Sequence, residues 1–119
     1  MESEQRPWGA WHVLDQGPGY KVKRIEVRPG ERLSYQRHQH RAEHWAVVRG
    51  TATCTLDEDT FEVKSGASVD VGIGTPHRLA NLHDEELVVI EVQRGEYTGE
   101  DDIARLDDDY GREGDSAAT

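Results

Sequence analysis

The run Gly30-Glu31-Arg32-Leu33-Ser34-Tyr35-Gln36-Arg37-His38-Gln39-His40-Arg41-Ala42-Glu43-His44-Trp45-Ala46-Val47-Val48-Arg49-Gly50 decides the fold. Glycines bracket it: Gly30 stands six residues before Gln36 and Gly50 seven after Glu43. A second framed run, Gly66 to Asn81, carries Gly74 and His77. Nitrogen and oxygen donors at 36, 38, 43 and 77 suit a borderline metal such as zinc, iron or manganese. The glycines suit tight turns between short strands. Together they describe a metal site inside a small β-barrel.

Working outward, the punctuation continues. Extended runs are expected at Tyr20–Val27, Leu33–His40, Glu43–Val48, Thr51–Leu56, Thr60–Val63, Ala67–Val71, His77–Asn81 and Leu87–Gln93, separated by turn residues. Regular short strands without helical periodicity before residue 95 argue an all-β sandwich or barrel. Asp101–Leu106 is expected to form one helical turn, and residues 113–119 a disordered tail behind a single domain, 1–112. Strand parity then sorts the side chains. Gln36, His38 and His40 share a face, as do Glu43, Trp45 and Val47. His77, Leu79 and Asn81 share another. Val89, Glu91 and Gln93 oppose Val88, Ile90 and Val92. Lys23 shares a face with Lys21 and Ile25. A carboxylate at Glu91 on so apolar a strand needs a partner or a cavity.

Composition sets outer limits. A chain of 119 residues that is 34% hydrophobic holds one thin core. The net charge of −10 disfavours nucleic acid and anionic membranes as partners. Lysines occur only at 21, 23 and 64. The single Cys54 excludes an internal disulfide and fits the cytoplasm; within a strand it reads as a core thiol. No signal peptide or apolar span of membrane length is visible. His12 and His83 read as loop histidines, His44 as structural, and Trp8, Trp11 and Trp45 as packing residues. The acidic runs Asp57–Asp59 and Asp107–Asp109 read as solvated turns.

The two framed runs resemble the paired motifs of the cupins, which are double-stranded β-helix (jelly-roll) proteins. The first cupin motif reads Gly, five residues, His-x-His, three or four residues, Glu, six residues, Gly. Here Gln36 takes the place of the first histidine. In the second motif Gly72 takes the place of a proline ahead of Gly74, His77 and Asn81. The chain is more closely similar to the cupin domain of type II phosphomannose isomerases. The resemblance is carried by Arg6-Pro7-Trp8-Gly9, Tyr20 to Lys23, Pro29 to Ser34, Gln36-x-His38, Arg41-Ala42-Glu43-His44-Trp45 and Ile90-Glu91-Val92-Gln93. It continues through Gly95-x-Tyr97, Asp101-Asp102-Ile103 and Asp109-Tyr110-Gly111-Arg112. Tyr35 replaces a usual leucine, and the Asp70-Val71-Gly72 run lacks the usual Ile-Pro. The chain reads as a cupin without the guanylyltransferase domain that often accompanies this one.

The resemblance implies an all-β double-stranded β-helix with a short irregular or helical C-terminal segment. It implies a divalent ion at Gln36, His38, Glu43 and His77, zinc first, with manganese, iron, cobalt or nickel as other candidates. A rival register takes His38 and His40 as the paired histidines, but leaves only two residues before Glu43. The implied reaction is aldose–ketose isomerisation of a sugar phosphate, mannose 6-phosphate to fructose 6-phosphate, through a cis-enediol. Glu91 and His40 are candidate bases. The resemblance gives Arg41 a catalytic or charge-binding role. Lys23, Arg78 and Arg94 are candidates for the phosphate. A non-catalytic cupin that binds a sugar or sugar phosphate is the alternative, and a cupin oxygenase a further one. The outward Val88, Ile90 and Val92 suggest a homodimer.

Overall fold

The computed structural model describes residues 2–112 and 114–115. They form twelve strands: β1 Ser3–Arg6, β2 Gly9–Gly17, β3 Tyr20–Val27, β4 Tyr35–Arg37, β5 Arg41–Arg49, β6 Thr51–Leu56, β7 Asp59–Lys64, β8 Ser68–Val71, β9 His77–Ala80, β10 Leu87–Gly95, β11 Ala104–Asp107 and β12 Gly114–Asp115. One sheet has the order β1-β2-β3-β10-β5-β8 and the other β12-β11-β4-β9-β6-β7. From β3 to β11 the chain passes back and forth between the sheets; only the β6–β7 hairpin stays within one. That alternation makes a jelly roll, the double-stranded β-helix expected from the motif spacing.

Two expectations at the C-terminal end are corrected. Asp101–Leu106 forms no helical turn: Ala104 and Arg105 pair with Arg37 and Gln36. The open edge of β4 offers backbone groups that need partners, and β11 supplies them. Gly114 and Asp115, placed in the expected disordered tail, pair with Arg105 and Ala104. Residues 113 and 116–119 of that tail lie outside the described residues. Among the described residues no helix is long and apolar enough to cross a membrane.

The inner face of β3, β10 and β5 changes character along its length, and this positions the site. Ile25, Val89 and Val47 stand side by side in register. One step along come Lys23, Glu91 and Trp45, then Lys21, Gln93 and Glu43. All nine are buried. The first row joins Val27, Leu87, Ala52, Cys54 and Leu79 in the core. Each fully buried aliphatic side chain there contributes roughly 1.5–3 kcal/mol. The other rows line the polar end of the same barrel. Strand periodicity thus builds both halves, and only the residue types along the inner face separate core from cleft.

Turns then aim the site residues. Gly74 takes φ +77, and its N–H donates to the His38 carbonyl at 2.8 Å. That bond ties the loop delivering His77 to the one delivering His38. Asn81 is fully buried; its Nδ2 donates to the Val27 and Glu85 carbonyls at 3.0 and 2.8 Å.

Candidate metal centre and its cleft

Gln36 on β4 and His77 on β9 are directly paired. His38 lies just beyond β4, and Glu43 points inward from β5. One donor atom from each of His38, Glu43 and His77 lies within 4.8 Å of the other two. Both imidazoles are oriented from behind. His38 Nδ1 donates to the Asp102 carbonyl at 2.6 Å, and His77 Nδ1 donates to the Thr75 carbonyl at 2.9 Å. A carbonyl can only accept, so each ring, when neutral, has its Nε2 as the acceptor turned to the centre, where His38 Nε2 also meets Arg41 Nη2 at 3.3 Å. Burial, above all, lowers the His77 pKa to about 4, so this ring is neutral at pH 7. The Gln36 side chain lines the cleft, and its amide has no hydrogen bond among the described residues. Two imidazoles, a carboxylate and an amide fit a divalent ion of borderline softness.

Glu43 is held by both oxygens. Oε2 accepts from Arg41 Nε at 2.9 Å and lies 3.2 Å from His38 Nε2. Oε1 accepts from Trp45 Nε1 at 2.9 Å and lies 3.7 Å from His77 Nε2. Burial alone would raise its pKa, but His38, His77 and Arg41 together hold it well below the ordinary carboxylate range. Glu91 behaves in the opposite sense. It accepts from Trp45 Nε1 at 3.1 Å and from Gln93 Nε2 at 2.6 Å. Burial, and then the charge of Glu43, push its pKa up to about 7 against the pull of Lys23 and Arg41. The indole N–H of Trp45 therefore stands between two carboxylates of opposite tendency, one ionised and one able to carry a proton near neutrality.

The structure brings Gln36, His38, Arg41, Glu43, His77, Glu91 and Lys23 onto one cleft. It does not bring the other expected residues there. His40, a candidate base, is turned to solvent with its side chain 45% exposed, and its Nδ1 meets Glu96 at 3.1 Å. Arg78 points away from His77; it donates to the Leu33 carbonyl and to Asp107. Arg94 is exposed at the end of β10. Both arginines stand one residue out of phase with the inward face of their strands. His44 faces outward against Asp70 at 2.8 Å. Trp8, Trp11 and Trp45 are buried packing residues as expected, yet all three also line the cleft.

Sequence reasoning missed Arg6, Glu100, Asp102, Arg105 and Arg112. Asp102 accepts from the backbone N–H groups of Gln39 and His40, both at 2.9 Å. The other four line the cleft. Arg6, Asp102 and Arg112 lay in quoted motifs, but with no spacing rule to give them a role. Glu100 and Arg105 sit in or after an aperiodic loop.

A jelly roll with paired glycine-framed motifs and a His, Glu and Gln donor set at one end defines a cupin. The Schizosaccharomyces pombe Cnp3 cupin domain superposes with a TM-score of 0.70 over 72% of this chain and 64% of its own, at 16% identity, a likeness of fold alone. Residues 2–108 match the family model "Mannose-6-phosphate isomerase C-terminal", and the chain belongs to that family. The alginate biosynthesis protein AlgA of Pseudomonas aeruginosa is 53% identical over 107 residues, which cover 90% of this chain and 22% of AlgA. A mannose-1-phosphate guanylyltransferase of Escherichia coli is 49% identical over the same length, again 90% of this chain and 22% of the relative. The chain thus spans about a fifth of the length of these relatives.

Proposed function

We propose that this domain is a metal-dependent sugar-phosphate aldose–ketose isomerase acting on mannose 6-phosphate, with zinc as its ion and the cytoplasm as its compartment. The observation that carries the reading is the meeting, in one cleft, of the donor set with a second buried carboxylate whose pKa lies near 7. The family description and the guanylyltransferase relative point to the same substrate class. An ion held by Gln36, His38, Glu43 and His77 would supply Lewis-acid stabilisation of the sugar's C1 and C2 oxygens as negative charge grows on them.

The chain's own residues supply the rest. Glu91 takes the proton from C2 and returns it to C1 through a cis-enediol, while the hydroxyl proton passes from O2 to O1. A base near neutrality can do both. Trp45 Nε1 holds the Glu91 carboxylate in place. Arg41 is a positioning residue: its Nε fixes Glu43, and its Nη2 lies 3.3 Å from His38 Nε2. Lys23 stabilises negative charge on Glu91 from the neighbouring strand.

Purified protein loaded with zinc, manganese or cobalt is expected to convert mannose 6-phosphate to fructose 6-phosphate. Full metal content without conversion would sink the isomerase reading and favour a binding module.

A further inference from the structure

The cleft has two cationic sides, and among the described residues only the first has every cation in an ion pair. On the first, Lys23 Nζ lies 2.7 Å and Lys21 Nζ 3.2 Å from the same Glu100 oxygen; both lysine side chains are 5% exposed. Lys21 also donates to the Thr98 carbonyl at 2.7 Å, and the Lys23 ammonium rests 3.9 Å from the centre of the Trp11 ring. Burial would raise the Glu100 pKa, yet Lys23 leads the charges that bring it below the ordinary value. An ionised carboxylate of this chain therefore already occupies the lysine pair. An incoming dianion would meet Glu100 before it met Lys23.

The second side is built by Arg6, Arg105 and Arg112. Arg105 on β11 is paired directly with Gln36 on β4. Directly opposed residues put their side chains on one face, with Cβ atoms about 5 Å apart. Arg105 therefore projects from the wall that carries the candidate metal ligand. Its guanidinium is half-buried and has no hydrogen bond or ion pair among the described residues. Its neighbours differ. Arg112 is gripped by Asp108 through Nε at 2.9 Å and Nη2 at 3.1 Å, and lies 5.5 Å from the Tyr110 ring. Arg6, at the end of β1, lies 3.3 Å from Glu4 and 5.9 Å from the Trp11 ring. Among the described residues, three guanidiniums thus face two carboxylates, and the central one makes no ion pair. Burial first, then the like charges of Arg112 and Arg6, lower the Arg105 pKa, with Asp108 opposing. A half-buried cation without a counter-ion is costly. In a chain of net charge −10 it is also locally unusual.

We propose that Arg105, flanked by Arg6 and Arg112, seats the phosphate of a sugar phosphate, while Lys21 and Lys23 hold Glu100. The proposal rests on the sugar-phosphate reading above and gives the substrate a direction. The phosphate lies against β11, and the carbon chain runs from there to the donor set and Glu91. A guanidinium fork matches a phosphomonoester through paired N–H···O bonds, which an ammonium point charge does not.

The test uses the full metal-loaded chain and calorimetric titration with mannose 6-phosphate, inorganic phosphate and unphosphorylated mannose. Arg105→Met should weaken mannose 6-phosphate binding about 10- to 100-fold. Mannose binding and metal content should stay unchanged. Arg6→Gln, on an edge strand where folding is not at stake, should weaken the same ligand to a smaller degree. Arg105→Lys should recover only part of the affinity, because the charge returns without the fork. Inorganic phosphate should compete with mannose 6-phosphate in the wild type and lose that ability in Arg105→Met. Unchanged mannose 6-phosphate affinity in Arg105→Met and Arg6→Gln would overturn the seat, as would a loss confined to Lys23→Met. The two readings separate cleanly. Arg105-dependent phosphate binding without isomerisation keeps the seat and removes the isomerase. Isomerisation with an unchanged KM in Arg105→Met keeps the isomerase and removes the seat.

Discussion

His77 shows how a side chain is prepared to ligate. It is 2% exposed, its Nδ1–H is given to a backbone carbonyl, and its pKa falls to about 4 chiefly through burial. Gln36 beside it has an amide with no hydrogen bond among the described residues, whereas His40 has turned to solvent. Metal analysis should reflect that division. Gln36→Ala and His77→Ala are expected to lose metal affinity by more than the roughly 10- to 100-fold that even outer partners command. His40→Ala should match the wild type; equal loss in all three would mean that His38 and His40 form the pair. His77 also makes a statement about stability. Its folded pKa of about 4 lies below the ordinary 6.5, so between these values the unfolded chain binds more protons. The stability from a neutral buried ring is complete above pH 6.5 and is lost as pH falls toward 4. Metal-stripped protein should therefore show a melting temperature that drops across that window, and His77→Gln should flatten this part of the profile. A flat wild-type profile would show that the ring is not held neutral.

At the level of elements, the turns and strand parity do most of the positioning. Gly50 takes φ +80, and a Cβ there would lie 2.6 Å from the Glu86 carbonyl oxygen. Gly66 takes φ +94, and a Cβ there would meet nothing within 4 Å. Gly66→Ala should thus cost about 1–2 kcal/mol, from backbone conformation alone. Gly50→Ala adds a backbone clash and should cost on the order of 3 kcal/mol. Chemical denaturation of the two variants checks the difference, and equal losses would contradict the close approach. Parity made β5, β9 and β10 legible: Glu43, Trp45, His77, Leu79, Glu91 and Gln93 all point inward. The same parity excludes Arg78 and Arg94, which alternate with inward residues. Their selection followed charge rather than periodicity. β1 was hidden because Ser3–Arg6 is polar, and β2 because its alternation stops after Val13, at the bulge before Asp15. β11 was hidden inside an acidic run. Arg105 and Glu100 reach the cleft through pairings far away in sequence, which spacing along one strand cannot reveal.

In the molecule as a whole, the two sheets enclose an apolar core at one end and a polar cleft at the other, while the outer face of β3, β10 and β5 has its own pattern. Val22 stands against Val92, and Ile90 against Ala46. All four are half-buried. A second copy packed on this face would complete their burial, in the isologous manner common to homodimers. Light scattering is expected to give about twice the 13.4 kDa of the chain, with Ile90→Asp reverting it to the single mass. A wild type of single mass at every concentration would remove the dimer. Neither outcome bears on the chemistry, which belongs to one barrel. The most direct test of the chemistry follows mannose 6-phosphate by NMR in D2O with protein carrying one divalent ion per chain. The account predicts fructose 6-phosphate, abolished by His77→Ala, with deuterium at the exchanged carbon in the measure that the proton carried by Glu91 exchanges with solvent before its return. A fully loaded protein that yields neither product nor exchange would contradict it.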